Sequence, residues 1–426
     1  MARKFNRRQL LKGTAAVGAG IALGARPIRR ANAAGKITVG VEAGSPYEKF
    51  YGEKAAAFTK ATGVDVTFNA IPHDSIRQQF AQDALSQAGG FDVYIADQVW
   101  LPEFAEKGFI VDLSDKIEAK DKADFAGSAL ETVSWNGKIY ALPIIVHNCA
   151  MYYRSDLFAA AGLSAAPATW DEYRAFAKKL TSKDSGVFGT LIAGKRNIEA
   201  ATRFHAFIQQ AGGDILDANK KPTIDSDAGH KALEFMTAVE LTDQSAPPGV
   251  LDLSDAQGMW LDGKLAMLPV WPYLYSLSKD PKQSKVAGKV KLDIPPGNPN
   301  RVATAYSWGF CAAAGSKNLD AAVEWVKWST GTDMLAAFGK TWINPVPRAS
   351  AIAKVQADAD LSADDKAAIA TFAKSAAGSK TMNMVPQYSE LLDVLGIVIS
   401  NTMSKAMSPD DALKDGQKRA EEAMNG

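Results

Sequence analysis

The sequence predicts an α/β protein of two lobes, each a mostly parallel sheet flanked by helices. Segments with strand and helix patterns alternate along the chain, which is typical of a parallel sheet covered by helices on both faces. The chain also has 426 residues, of which 47% are hydrophobic and 22% are charged. That length and composition are sufficient to bury more than one core of ordinary domain size.

The first α/β region begins after residue 35. Strand-like segments alternate there with segments whose apolar residues have helical spacing. Ligands bind beyond the carboxyl ends of parallel strands, so the loops that follow these strands are candidate site regions. The predicted strands are 36–41, 64–70 and 91–95, the predicted helices are 47–62 and 74–87, and the loops are 42–47, 71–75 and 96–100.

A second α/β region follows Pro143. Thr169 is a predicted N-cap, and Asp171 and Glu172 lie in the first turn of the helix that follows, where they complement the helix dipole. The predicted strands are 149–153, 188–191, 265–269 and 306–313, and the predicted helices are 155–161, 170–181, 197–210, 227–242, 254–261, 319–329, 333–338, 363–376, 389–403 and 409–422.

The N-terminal 33 residues have the pattern of a twin-arginine export signal. Arg7 and Arg8 precede a short Gly- and Ala-rich apolar run at 13–25, and Ala31-Asn32-Ala33 is a small-residue cleavage site. The run is too short and too weakly apolar to span a bilayer. No cysteine stands at the cleavage site, so we expect a periplasmic protein without a lipid anchor. An amphipathic helix of the folded domain is the alternative interpretation.

Charge and motif content exclude several classes of function. Residues 1–33 carry eight of the 48 Lys and Arg and none of the 47 Asp and Glu, so the remaining chain has 40 basic and 47 acidic groups and a net charge of −7. That charge disfavours nucleic-acid binding. The four histidines are scattered and no Cys-x-x-Cys occurs, so we expect neither a metal nor a cofactor.

Cys149 and Cys311 could form one disulfide, or they could be two buried thiols.

Three segments in order carry a resemblance to a known family. The chain resembles the maltose-binding-protein-like solute-binding proteins of carbohydrate ABC importers along essentially its whole mature length. The resemblance implies a type II-like periplasmic binding protein fold with a hinge of several crossovers, and a monomer that delivers a solute from its cleft to a membrane permease. The segments are NGKIYALP at 136–143, YYRSDLF at 152–158 and PATWDE at 167–172.

The resemblance also implies how the chain is divided. Crossovers are expected near 145–148, 302–305 and 347–350. The N-terminal lobe would then comprise residues 34–146 and 304–348, and the C-terminal lobe residues 147–303 and 349–426.

A sugar or polyol site needs carboxylates, short polar groups and flat aromatic surfaces. Asp97 follows a predicted strand and could accept two sugar hydroxyls; the alternative is that it is the N-cap of a helix that begins near Leu101. Trp271 and Tyr273 follow a predicted strand, where the family often places a stacking aromatic; the alternative is that they pack in the core. The other candidates from the strand-end loops are Glu42, Asp74, Gln98 and Trp100.

Five more residues complete the candidate ligand-binding set, and all but Asn344 have an alternative interpretation. His147 and Asn148 lie on a proposed crossover, where the family's usual carboxylate is absent and maltose becomes doubtful, or they are satisfied within the hinge. Trp308 could line the cleft or pack in the core. Arg196, beside Lys195, could meet an anionic ligand or lie on a solvated face. Asn344 could reach the site from the first lobe.

The sequence thus favours a binding protein for a sugar, oligosaccharide or polyol over an enzyme. A polyamine or glycerol-phosphate binder is the alternative within the class, in which Glu42, Asp74 and Asp97, or Lys195 and Arg196, would dominate. A periplasmic carbohydrate-active enzyme is the alternative from another class.

Overall fold

The chain folds around two main sheets and a short hairpin in the computed structural model, which describes residues 35–125, 129–302 and 304–425. The predicted export signal lies outside the described residues. The strands are β1 (Lys36–Glu42), β2 (Asp65–Ile71), β3 (Val93–Asp97), β4 (Ser134–Trp135), β5 (Lys138–Ile139), β6 (Leu142–His147), β7 (Ala150–Arg154), β8 (Met267–Val270), β9 (Val290–Asp293) and β10 (Tyr306–Ala312).

Helices cover both sheets, and several begin at the residues that capping rules favour. Thr169 forms a capping box with Glu172, which confirms the predicted helix start at Trp170. The helices are α1 (Pro46–Thr62), α2 (His73–Ser86), α3 (Leu101–Glu106), α4 (Ala119–Ala123), α5 (Ser155–Ala160), α6 (Trp170–Leu180), α7 (Ile198–Gln210), α8 (Asp227–Leu241), α9 (Leu253–Leu261), α10 (Tyr273–Lys279), α11 (Leu319–Ser329), α12 (Thr332–Trp342), α13 (Ala349–Ala357), α14 (Ala363–Ala377), α15 (Tyr388–Met403) and α16 (Pro409–Asn425).

The first sheet has five strands in the order β2-β1-β3-β10-β6. β1 is parallel to β2 and β3, whereas β10 is antiparallel to β3 and β6. This sheet and the helices packed on it, including α1, α2 and α11, form the first lobe. Because β10 comes from much later in the chain and lies between β3 and β6, the first lobe is discontinuous in sequence.

The second sheet departs from the prediction of a mostly parallel sheet in each lobe. It has three strands in the order β8-β7-β9, and β7 is antiparallel to both neighbours. β7 enters this lobe directly from the crossover and runs away from the first lobe, whereas β8 runs back toward it. The predicted strand at 188–191 makes only an isolated parallel bridge, between Phe188 and Leu265. This sheet with α5 to α9 and α14 to α16 forms the second lobe.

The chain passes between the sheets at residues 147–150 and again just before Tyr306. Tyr306, the first residue of β10, pairs with His147, the last residue of β6, so these two crossovers lie side by side. After α12, the next helix α13 packs against it, and Ser350 of α13 donates hydrogen bonds to the carboxylate of Asp124. The lobe boundaries at 146/147, 303/304 and 348/349 remain a proposal.

The interior of each lobe is rich in aromatic side chains. Tyr51, Phe310 and Trp325 make edge-to-face contacts in the first lobe, and Trp170 stacks on Phe235 in the second with 4.3 Å between ring centroids. Cys149 and Cys311 are both free thiols. Within the described residues, none of the helices combines the length and apolar composition needed to cross a bilayer.

Candidate ligand-binding site

The carboxyl ends of β1 and β3 and the start of α2 bring acidic groups and a histidine together. Glu42 ends β1 and His73 begins α2. Nδ1 of His73 lies 3.2 Å from Oε1 of Glu42. Asp97 ends β3, and its carboxyl group is close enough to both side chains for their charges to change its pKa. The position of these three residues agrees with the rule that ligands bind beyond strand ends.

Asp97 is a buried carboxylate with few protein partners. Its side chain is 6% exposed, and among the described residues its hydrogen bond is from the amide of Val99, at 3.2 Å. It therefore caps the short helical turn at Gln98–Trp100, close to the alternative considered from the sequence. Burial raises the pKa of Asp97 to about 7, with a further increase from Glu42 and opposing effects of Val99 and His73.

Trp308 connects this acidic group to the core of the first lobe. Its indole lies against Tyr47, with 6.1 Å between ring centroids and 20° between ring planes. On the side of Glu42 and Asp97, the centroid of the His73 ring lies 5.9 Å from that of the Trp308 ring. Trp308 is thus a core residue with one edge at the candidate site, which combines the two interpretations that the sequence left open.

The second lobe contributes Trp271, which follows β8. Its Nε1 donates to Oε2 of Glu199 at 2.8 Å, and the guanidinium of Arg203 lies over its ring. Nε of Arg203 donates to the other Glu199 oxygen at 2.9 Å, and Arg203 also contacts the Cys149 thiol. Glu199 and Arg203 are one turn apart on α7, so this helix fixes the position of the indole.

Tyr306 lies between the groups of the two lobes and is a candidate site residue that was not predicted from the sequence. Its ring meets Trp271 edge to face at 5.4 Å, and its buried hydroxyl has no hydrogen-bond partner among the described residues. Burial raises the pKa of this phenol well above its ordinary value, and the charges of Asp97 and Glu199 raise it further. Its position in the sequence could have identified it, because it directly follows a proposed crossover and lies two residues before Trp308.

Tyr273 begins α10 in the second lobe, close to the same groups. Its hydroxyl donates to Oε1 of Gln257 at 2.9 Å. Burial raises the pKa of this phenol, and the negative charges of Glu199 and Glu42 raise it further. The two lobes meet beside Tyr273, because the ring of Trp271 from the second lobe contacts the ring of Tyr306 in β10 of the first.

Three predicted amides are buried with an unpartnered oxygen in the described part of the chain. Gln98 is 2% exposed. Asn148 donates to the carbonyl of Ser375 at 3.0 Å, and this bond ties the crossover to α14. Asn344 lies just after α12. Their side-chain oxygens are buried acceptors, and such groups are normally satisfied by a donor.

Other predicted residues lie apart from this cluster or are described only by their backbone. Trp100 packs against Phe104, with 4.5 Å between ring centroids, and is 2% exposed; its prediction as a cleft residue is not supported, because the turn after Asp97 directs it into the core. Arg196 forms an exposed ion pair with Asp393. Asp74 lies in the first turn of α2, and His147 ends β6.

Comparison with known proteins gives consistent matches. A family model described as bacterial extracellular solute-binding protein matches residues 41–336, and one described as a twin-arginine translocation pathway signal sequence matches residues 4–24. A probable ABC transporter-binding protein of Deinococcus radiodurans is 28% identical over 289 residues, which are 65% of this chain and 67% of the relative.

Two further matches are proteins that bind a polyol. A mannitol-binding protein of Pseudomonas aeruginosa is 26% identical over 276 residues, or 63% of this chain and 62% of the relative. The crystal structure of an ABC transporter solute-binding protein from Agrobacterium radiobacter in complex with ribitol has a TM-score of 0.82 and 26% identity. That match covers 91% of this chain and 98% of the other.

Proposed function

Because the chain belongs to the bacterial extracellular solute-binding proteins, we propose that it captures a sugar or polyol between its two lobes. The export signal predicted from the sequence is confirmed, so the protein is an exported, periplasmic binding component of an ABC importer. Its partner in the membrane is the permease to which the solute is delivered.

The proposal rests on two neighbouring groups. One is the buried carboxyl of Asp97 beside Glu42, and the other is the hydroxyl of Tyr306, which has no hydrogen-bond partner among the described residues. A buried carboxylate with one backbone hydrogen bond has unused acceptor capacity, and the hydroxyls of a sugar or polyol are donors that would satisfy it. Trp308 and Trp271 add aromatic surface suited to the apolar C–H groups of the same molecule. The ribitol and mannitol proteins found as relatives support this class of ligand.

The ion pairs of the protein favour a neutral solute over an anionic one. Arg203 is paired with Glu199, Arg196 with Asp393, and Lys195 with Asp252. Lys195 and Arg196, which the sequence suggested as partners of a ligand carboxylate or phosphate, therefore form ion pairs with aspartates of the protein itself. A polyamine is the second candidate, because Glu42 and Asp97 present two acidic groups at one place, although His73 offsets part of that charge.

We further propose that the protein binds its solute without catalysing a reaction, and that it acts as a monomer that does not bind nucleic acid. The family and fold are those of transport binding proteins. The mature chain's negative charge supports the last point.

A thermal-shift screen of the mature protein tests the proposal. The screen should contain polyols, mono- and oligosaccharides, sugar acids, polyamines and glycerol phosphates. A ligand at about 100 times its Kd stabilises the folded protein by about 2.7 kcal/mol, which raises the melting temperature measurably. We expect a polyol or neutral sugar to give the largest shift; a shift confined to polyamines would support the second candidate instead.

A further inference from the structure

We propose that Tyr306 binds the solute directly through its hydroxyl group and that it is the point at which the solute contacts the hinge. This inference rests on the proposed function and deepens it, because it assigns a specificity-determining contact to a residue between the lobes.

The hydroxyl of Tyr306 lacks a partner that comparable tyrosines have. Tyr306 is 4% exposed, and its hydroxyl makes no hydrogen bond within the described chain. Three equally buried tyrosines are satisfied: Tyr51 donates to the carbonyl of Ser329 at 3.0 Å, Tyr152 to that of Trp271 at 3.1 Å, and Tyr388 lies 3.1 Å from Nδ1 of His205. A buried unsatisfied hydroxyl destabilises a folded protein, so its retention calls for another role.

The surroundings of this hydroxyl match a polyhydroxylated ligand. The Tyr306 ring is held edge to face against Trp271, with 84° between ring planes. Burial raises the pKa of its phenol well above the ordinary value, and the charges of Asp97 from the first lobe and Glu199 from the second raise it further, so the phenol stays protonated. A protonated phenol donates to one oxygen and accepts from another hydroxyl, so it suits a neighbouring pair of ligand hydroxyls that also reaches Asp97.

Tyr306 also lies where two crossovers of the backbone run side by side. It is the first residue after the second crossover and pairs in β10 with His147 at the end of β6. Just before it, Thr304 donates to Oε1 of Gln209 on α7 at 2.8 Å. A solute that binds this hydroxyl therefore contacts a place where two crossovers and a second-lobe helix are hydrogen-bonded together.

The test replaces only the hydroxyl group. Tyr306→Phe keeps the ring, and Tyr51→Phe is the matched control, because its hydroxyl is equally buried but bonded within the protein. Affinities for ribitol and D-mannitol should be measured by calorimetry for the parent and both variants. We expect Tyr306→Phe to weaken binding about 10- to 100-fold with an unchanged or higher melting temperature, and Tyr51→Phe to lower the melting temperature with binding unchanged.

Deoxy analogues of the polyol that binds then identify the ligand hydroxyl. The analogue that lacks the contacted hydroxyl should lose affinity for the parent but much less for Tyr306→Phe, as in a double-mutant cycle. If the parent binds a polyol and Tyr306→Phe binds it equally well, or if Tyr306→Phe melts clearly below the parent without ligand, the inference is wrong while the proposed function stands. If the parent binds neither polyol nor any sugar of the screen, the proposed function fails and the inference fails with it.

Discussion

The guanidinium of Arg203 lies over the indole ring of Trp271, with 4.5 Å between Cζ and the ring centroid, and Glu199 binds both side chains. The three residues form one unit in the wall of the candidate site. Arg203 is nearly fully buried, so its charge depends on Glu199 for compensation.

Glu199→Ala should therefore lower both stability and ligand affinity. Removing one partner of a buried ion pair costs about 3–5 kcal/mol, and the indole loses the hydrogen bond that orients it. Glu199→Gln should be milder because its amide oxygen still accepts one hydrogen bond. Asp243→Asn, which breaks the Arg174–Asp243 pair elsewhere in the second lobe, is the control: it should reduce the melting temperature and leave affinity unchanged. Equal affinity in all three variants would contradict the assignment of Trp271 to the site.

Asp97 should make the unliganded protein less stable as pH rises. Its pKa is about 7 in the folded protein against 3.8 for the free side chain, so the folded state holds more protons between these values. The free energy of unfolding then falls between about pH 4 and pH 7, by a contribution on the order of 4 kcal/mol.

Asp97→Asn removes this contribution. Urea unfolding at pH 4, 6 and 8 should show the variant gaining stability relative to the parent as pH rises. A difference that does not change with pH would mean that Asp97 is ionised in the folded protein throughout.

Ligand affinity should depend on the same proton in the opposite direction. Hydroxyl donors of a bound polyol favour the ionised Asp97 carboxylate, so binding lowers its pKa and releases a proton. Affinity should rise about tenfold or more between pH 5 and pH 8. Calorimetry in two buffers of different ionisation enthalpy measures the proton release; identical heats in both buffers at pH 6 would exclude it.

The ion pair between Arg77 on α2 and Glu390 on α15 joins the two lobes at the surface. Nη2 of Arg77 lies 3.2 Å from Glu390 and 2.6 Å from Glu103 of its own lobe. Exposed pairs contribute about 0–1 kcal/mol, so Glu390→Gln should weaken solute binding by no more than about fivefold, and the difference should vanish at high salt. Asp415→Asn breaks an exposed pair within α16 and should have no effect on binding.

Two glycines should respond oppositely to substitution by alanine. A Cβ on Gly189 would lie 1.9 Å from the carbonyl oxygen of Ala177, whereas a Cβ on Gly52 would meet nothing within 4 Å. Gly52 is an exposed position inside α1, where alanine should stabilise the fold by about 1 kcal/mol. Gly189→Ala must displace the backbone of α6, and thermal melting should show a large loss of stability.

The order of elements and the place of the candidate site follow from local sequence, because strand, helix and capping patterns are local. Residues at strand ends, such as Glu42 and Asp97, could be identified since parallel strands direct their ends to one edge of the sheet. Trp100 could not be placed in the same way. It is only three residues beyond Asp97, but the helical turn between them rotates its side chain into the core.

The sequence alone does not predict which distant segments of the chain contact each other. The antiparallel pairing of β7 depends on how the chain enters the second lobe, and no residue of β7 encodes that direction. In the sequence, Tyr306 cannot be distinguished from an aromatic residue that packs in a buried strand. Only the structure shows that its hydroxyl has no hydrogen-bond partner among the described residues. Arg196 follows a strand-like segment as expected of a site residue, but Asp393 lies far along the chain and binds it.

A polyol or neutral sugar should bind at Asp97 between the lobes, and calorimetric titration of the mature protein and of Asp97→Ala with ribitol and D-mannitol measures this binding. We expect one site per chain on the parent with a Kd of about micromolar or below, weakened at least about tenfold in a folded Asp97→Ala protein. Equal affinity of parent and variant, or no binding of either polyol by the parent at millimolar concentration, would contradict it.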